Sequence, residues 1–157
     1  CLERSRRVFG VEWLDFQAQH LTLVGMDPLV GLTFEKADVR LQCERELQAT
    51  LVRLREGLIA AGLDRAAVRG LLIRAAKSLL PVLRAMLWQV DLERPPGRGP
   101  TCGQAWEAFG VQMQGVLSVL KWHEQGCRVS ARDLEVAFDS VYAAVDQLAY
   151  LVDELEV

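Results

Sequence analysis

The feature that most constrains this chain is an apolar stripe near its C-terminus. Apolar residues recur there at alternating spacings of four and three: Leu134, Phe138, Val141, Val145, Leu148, Val152 and Leu155. This spacing places them on one side of an α-helix. The stripe therefore predicts a helix that faces the core of a bundle, with an intermolecular coiled coil and a homodimer as the alternative. Ser130 and Asp133 resemble a capping box at its start.

A first long helix is predicted over residues 35–61. Either Thr33 or Asp38 is expected to cap its start, and Gly62 stands where a C-terminal glycine cap belongs. One apolar stripe again repeats at spacings of four and three: Cys43, Leu47, Leu51, Leu54, Leu58 and Ala61.

A second long helix is predicted over residues 64–90, with Asp64 as its N-cap. Its apolar residues cover most of its circumference, which is typical of a central, buried helix. Because Pro81 cannot donate a backbone hydrogen bond, we expect a kink or break near residues 77–81.

The remaining segments complete a helical domain. Residues 93–103 are rich in proline and glycine and predict a loop, and shorter helices are expected over residues 104–109 and 112–124. The fold class is therefore all-α: an up-and-down bundle of four to five helices over residues 35–157.

Residues 1–34 differ from the rest and predict a strand-like extension followed by a loop. The run Val8–Phe16 is rich in aromatic and β-branched residues. Because a lone strand is not stable in water, we expect it to be the end of a preceding domain, with an exposed apolar patch around Phe9, Val11 and Trp13. The chain also begins with Cys1 rather than Met, which suggests either that an N-terminal segment was removed or that the chain is a piece of a longer protein.

Composition excludes two broad classes. With 51% hydrophobic residues the chain is not a disordered one. Its longest charge-free stretch, residues 108–120, is shorter than the roughly 20 residues that a membrane span needs. We therefore expect no membrane partner.

The four cysteines, at positions 1, 43, 102 and 127, form no CxxC pair. We expect reduced thiols in a cytoplasmic protein, with Cys43 as a buried small hydrophobe.

Charge is unevenly distributed along the chain. Residues 65–90 have five basic residues and no acid, whereas residues 133–157 have seven acids and no base. Two interpretations are open: the helices are neighbours with complementary edges, or the basic face contacts a phosphate group. On that face, Arg74, Lys77 and Arg84 share a helical spacing. The net charge of -3 argues against general nucleic-acid binding.

Motifs for catalysis and metal binding are lacking. The sequence has no HExxH, P-loop or GxSxG motif, and its two histidines, His20 and His123, have no second ligand at metal-site spacing. We expect no metal site in this chain.

The N-terminal passage carries a family resemblance. The run Val8–His20, continued by residues 25–29, resembles a stretch of bacterial nucleotidyltransferase-like proteins of the polymerase-beta-type superfamily. In these proteins a strand reading roughly FPIEFLD closes the catalytic domain, and an H-x-x-L-x-G-x-D-x-L loop leads into a helical domain. Residues 41–47, 51–57 and 71–74, with Ser78, are similar to the first two helices of that domain.

The resemblance implies that the catalytic residues lie mainly in another domain of the parent protein. Catalysis in this superfamily uses a Gly-Ser motif with two carboxylates on one strand and a third on a later strand, which together hold divalent metal. This chain has no Gly-Ser pair followed by Asp-x-Asp. The resemblance therefore places Mg²⁺ in the parent protein and makes Glu12, or less readily Asp15, a candidate for the third catalytic carboxylate.

By the same resemblance, the chain is an accessory or substrate-binding helical domain without catalytic turnover of its own. Its expected partner is a nucleotidyltransferase domain, upstream or in trans. The alternative is a non-enzymatic interaction module that dimerises through its C-terminal helix. From the grouping of charges and aromatic rings, the candidate substrate contacts are Arg74, Lys77 and Arg84, with Trp88 and Tyr142 as walls.

Overall fold

The computed structural model describes residue 5 and residues 8–27 and 29–155. This part of the chain contains six α-helices and no strand: α1 Gly10–Gln19, α2 Lys36–Ala61, α3 Arg65–Gln89, α4 Arg98–Phe109, α5 Gln114–Gln125 and α6 Ala131–Glu154. The predicted all-α class is confirmed. Residues 35–157 contain five of the helices, within the predicted four to five, and the sixth is α1, which stands where a strand was expected.

The strand prediction for Val8–Phe16 is wrong for a physical reason. An isolated strand leaves its backbone N–H and C=O groups without partners, whereas a helix pairs them internally. Val11 and Leu14, three residues apart, are both buried against the bundle. Of the predicted exposed patch, Phe9 is exposed, Trp13 is half-buried and Val11 is buried.

α3 is central and packs against each of the other five helices. Its buried residues cover most of its surface, as predicted. Of the predicted kink or break at Pro81, the break does not occur, because the helix is continuous through the proline. The proline removes one backbone hydrogen bond, but Leu79, Val82 and Leu83 on either side of it are almost fully buried and hold the helix in place.

Two helices, α3 and α6, begin directly after a residue whose side chain caps the backbone N–H groups of the first turn. The Asp64 carboxylate accepts the backbone N–H groups of Ala66 and Ala67, at 2.9 and 3.2 Å, and Ser130 Oγ accepts that of Asp133 at 3.1 Å. Both predicted caps are confirmed. At α2 the N-cap position is Glu35, so neither Thr33 nor Asp38 occupies it.

α4 begins at Arg98, six residues before the predicted start. Pro100 does not prevent this, because it falls in the first turn of the helix. In that turn a backbone N–H has no partner within the helix, so proline is tolerated there.

The C-terminal stripe lies inside the bundle. Leu134, Val141, Val145, Leu148 and Val152 are buried, and the other two members pack against the same core. The core-facing interpretation of the stripe is confirmed. Cys43 is fully buried, as predicted.

Within the described residues, none of the helices combines the length and the apolar character that crossing a membrane requires.

Candidate functional site

The N-terminal segment carries a surface of exposed apolar side chains, which we call the N-terminal surface. Its members are between half and almost completely exposed: Val8, Phe9, Phe16, Leu21, Leu23, Val24, Met26 and Val30. Exposed apolar residues are common one at a time, but a dense group of them marks an interaction site. Leu23, Val24 and Met26 are each more than 80% exposed.

The loop that follows α1 is held by its own polar side chains. His20 Nε2 lies 2.6 Å from Asp27 Oδ2, and Asp27 Oδ1 accepts the backbone N–H of Leu29 at 2.9 Å. Gln17 Nε2 donates to the carbonyls of Leu29 and Leu32. Since Leu29 is buried, the loop is anchored while its apolar side chains stay in solvent.

We call the contact between His20 and Asp27 the His–Asp clamp. The hydrogen bond to Asp27 raises the pKa of His20 above its ordinary value. The pKa of Asp27 is lowered, first by the backbone N–H of Leu29 and then by His20. His20 Nδ1 also lies 2.8 Å from the Phe16 carbonyl, so both ring nitrogens face acceptors. This arrangement suits the imidazolium and leaves no free nitrogen for general-base chemistry.

A buried ion pair fixes α1 to the bundle. Arg84 on α3, whose side chain is only 6% exposed, donates to Asp15 Oδ1 on α1 at 2.6 Å. Its other N–H groups donate to the carbonyls of Pro95 and Pro96. Arg94 donates to the Leu14 carbonyl at 3.0 Å. Arg84 therefore ties α1, α3 and the segment before α4 together, and it is not available to a ligand.

A backbone N–H group at the start of α1 also finds its hydrogen-bond acceptor on another helix. The backbone N–H of Val11 donates to Oε1 of Gln42 on α2, at 3.1 Å. A Cβ atom on Gly10 would lie 3.2 Å from the Gln42 amide, so the glycine permits this close approach. The first turn of α1 thus receives its cap from α2.

Glu12 lies on the exposed side of α1 rather than on a strand. The strand geometry that suggested it as a third catalytic carboxylate is therefore absent. Phe9, Glu12 and Phe16 follow a spacing of three and four along α1, and all three are exposed. Glu12 consequently belongs to the face that carries the N-terminal surface.

The predicted basic face does not form one site. Arg84 points inward, and Lys77 Nζ lies 2.7 Å from His123 Nε2 on α5. Arg74 is exposed and lines a groove of about 190 Å³ with Arg53, Thr50 and Ser78. Arg74 and Arg84 are ten residues apart, about 15 Å along a helix, which is too far for one phosphate.

The complementary-edge interpretation of the charges is confirmed only in that the two helices are neighbours. α3 and α6 are neighbours, but no ion pair joins them within the described residues. Arg69 donates instead to the Trp122 carbonyl at 2.7 Å.

The two aromatic candidates lie in different places. Trp88 packs edge-on against Phe34, with ring centroids 6.4 Å apart, and lines a groove beside residues 91–96. Tyr142 stacks on Phe138 and accepts a hydrogen bond from Arg55 Nε. The structure thus does not bring the five predicted substrate contacts together.

Buried thiols are poor nucleophiles here. Burial raises the pKa of Cys43 to about 12 and that of Cys102 to about 11, the latter in spite of the nearby Arg84 cation. Among the described residues there is no group of three or more His, Cys, Asp or Glu side chains that could hold a metal ion.

The comparisons with known proteins give no relative. No family model, curated protein or solved structure matches the chain.

Replacing Arg84 with methionine should destabilise the fold by about 2–4 kcal/mol, because it leaves Asp15 and two carbonyls without their donor. The free energy of unfolding in urea measures this loss. The matched control is Arg74→Met on the same helix, which should change stability by no more than about 0.5 kcal/mol. Equal effects of the two substitutions would contradict the assigned role of Arg84.

The His–Asp clamp should depend on pH. Because the folded pKa of His20 is raised, its contribution is complete below the ordinary value of 6.5 and is lost as pH rises through the folded pKa. The contribution of Asp27, whose pKa is lowered, is complete above its ordinary value of 3.8 and is lost as pH falls through its folded pKa. The loop should be tightest between the two folded pKa values.

NMR titration of the Gly25 and Leu29 amide signals tests this. The expected midpoint of the upper transition lies above 6.5 and disappears in His20→Gln, while the control His123→Gln leaves it in place. A midpoint at or below 6.5 would show that the clamp does not form.

Proposed function

We propose that this chain is an accessory helical domain of a nucleotidyltransferase-like protein and docks onto the catalytic domain through its N-terminal surface. The observation that carries the proposal is the dense group of exposed apolar side chains over residues 8–30 on an anchored segment. Burying one Leu or Met side chain contributes about 1.5–3 kcal/mol, so a few of them can drive association against its entropic cost.

The family resemblance supports this location. Of the five loop residues that carry it, His20, Gly25, Asp27 and Leu29 shape the loop, and Leu23 is exposed on the N-terminal surface. His20 and Asp27 form the clamp, Leu29 is the buried anchor, and Gly25 has a φ of 83°, which disfavours other residues. The resemblance therefore falls on residues that hold the N-terminal surface in place.

The proposal also gives Glu12 a place. With Phe9 and Phe16 it lies on the outward face of α1, where the catalytic domain would dock. The catalytic domain would supply the Gly-Ser motif, all three carboxylates and the Mg²⁺ site, and Glu12 would lie at the edge of the interface rather than act as the third carboxylate.

A binding experiment with a separately produced catalytic domain tests the docking. The probe is a nucleotidyltransferase domain with a Gly-Ser motif followed by Asp-x-Asp, encoded upstream in the same reading frame or by a neighbouring gene. The double variant Leu23→Ser with Met26→Ser should weaken binding at least about tenfold, measured by calorimetry, since it removes two exposed anchors.

The matched control is Ile59→Ser with Val136→Ser, two exposed apolar residues outside the N-terminal surface, which should change binding by less than about twofold. Equal losses in the two double variants, or no binding by the unaltered chain, would contradict the proposal. A dimer in sedimentation that the Leu23 and Met26 substitutions abolish would show that the N-terminal surface joins two copies of this chain, and would contradict its docking onto a catalytic domain.

A more specific form of the proposal is that this domain also binds the substrate. Among the predicted basic contacts, Arg74 is the one that is exposed beside a groove. Arg53 lines the same groove and is oriented by Thr50 Oγ1, at 3.0 Å, and by Glu46, at 3.4 Å. Two guanidinium groups beside a half-open groove suit an anion such as a triphosphate. Both arginines are largely solvated, so binding should be weak and should fall with added salt.

Arg74→Ala should weaken ATP binding by about threefold to tenfold at low salt, measured by NMR titration. Arg132→Ala, an exposed arginine on α6 with the same change in charge, should have no more than half of that effect in free energy. If the two variants behave alike, the groove is not a substrate contact.

A further inference from the structure

A second apolar surface lies where α2 ends and α3 and α6 begin, and its residues are far from the N-terminal segment in sequence. The last turn of α2, the first turns of α3 and the start of α6 enclose a groove of about 630 Å³. We call it the end groove. Its apolar lining includes Leu58, Leu63, Val68, Leu134 and Phe138.

Charged side chains flank this lining. Glu135 and Asp139 stand one turn apart on the α6 side, and Arg65 stands on the α3 side. None of the three makes an ion pair or a side-chain hydrogen bond with another part of the chain that the structure describes. The end groove therefore combines an apolar floor with charges that have no internal partner.

The shape of the surface argues for a macromolecular occupant. Leu63 is fully exposed at the rim, and Ile59 just outside the groove is 83% exposed. A small molecule seated on the floor would leave both uncovered, whereas a helix lying across the groove reaches the rim as well. The two carboxylates oppose nucleic acid and anionic membranes.

We infer that the end groove binds an amphipathic helix of a partner protein. Apolar side chains of that helix, spaced three and four apart, would fill the floor. Basic residues one turn apart along one edge would meet Glu135 and Asp139, and an acidic residue on the other edge would meet Arg65. Charge complementarity thus selects a helix with a basic edge. This inference does not depend on the proposed function, which concerns a different surface.

Synthetic helical peptides provide the probe. One peptide has leucines at helical spacing with lysines along one edge, and its counterpart keeps the leucines and replaces the lysines with glutamates. Fluorescence anisotropy with the full chain should show the lysine peptide binding at least about fivefold more tightly than the glutamate peptide.

Matched substitutions locate the binding. Asp139→Lys should weaken binding of the lysine peptide by about fivefold or more and strengthen that of the glutamate peptide, because the edge charge is reversed. Asp146→Lys, two turns further along α6 and outside the groove, makes the same change in net charge and should alter binding by less than about twofold. For the apolar side chains, Leu63→Ser at the rim should weaken both peptides, while Val52→Ser, an exposed apolar residue on α2 outside the groove, should leave the binding of both unchanged.

All four positions are exposed, so the variants should fold, and thermal unfolding checks this. Failure of the lysine peptide to bind the unaltered chain would overturn the inference. So would equal losses in Asp139→Lys and Asp146→Lys, or amide shift changes confined to residues 8–30 when the peptide is added.

Discussion

The arrangement of the N-terminal half depends on one buried cation. A guanidinium that is taken out of water must find compensating partners, and Arg84 finds them in the Asp15 carboxylate and the carbonyls of Pro95 and Pro96. These partners belong to α1 and to the segment before α4. The central helix therefore dictates where both elements lie, and it fixes the side of α1 that faces solvent.

That orientation gives the N-terminal segment its character. With Val11 and Leu14 buried and Asp15 paired to Arg84, the outward face of α1 shows Phe9, Glu12 and Phe16. The loop beyond α1 adds further exposed apolar side chains, since its polar side chains bond to each other and to backbone while its apolar side chains remain in water. A folded chain that keeps apolar groups exposed on an anchored segment is suited to a partner that covers them.

What could be predicted from the sequence followed from local rules. The stripe of α6, the caps at Asp64 and Ser130 and the central position of α3 each depend on residues within a few turns, and all were predictable. α1 was not, because the contacts that make it a helix are distant. Gln42 lies 31 residues from Val11, and Arg84 lies 69 residues from Asp15. The aromatic and β-branched composition alone favoured a strand.

The prediction that Arg74, Lys77 and Arg84 form one site was wrong for a related reason. Helical spacing places Arg74, Lys77 and Arg84 on one face, but a face of a long central helix meets a different neighbour at each turn. Arg74 therefore borders α2, Lys77 meets α5 and Arg84 meets α1. His20 and Asp27 are both part of the loop motif on which the family resemblance rests. Their contact with each other was not predicted from the sequence and is seen only in the folded chain.

Amide hydrogen exchange in α1 tests most directly the claim that this segment is part of the bundle. The amides of residues 14–18 should exchange only through the slow opening that also exposes the amides of α3, because Asp15, Leu14 and Val11 are tied to the rest of the fold. Exchange at the rate of an unstructured peptide while α3 stays protected would contradict it.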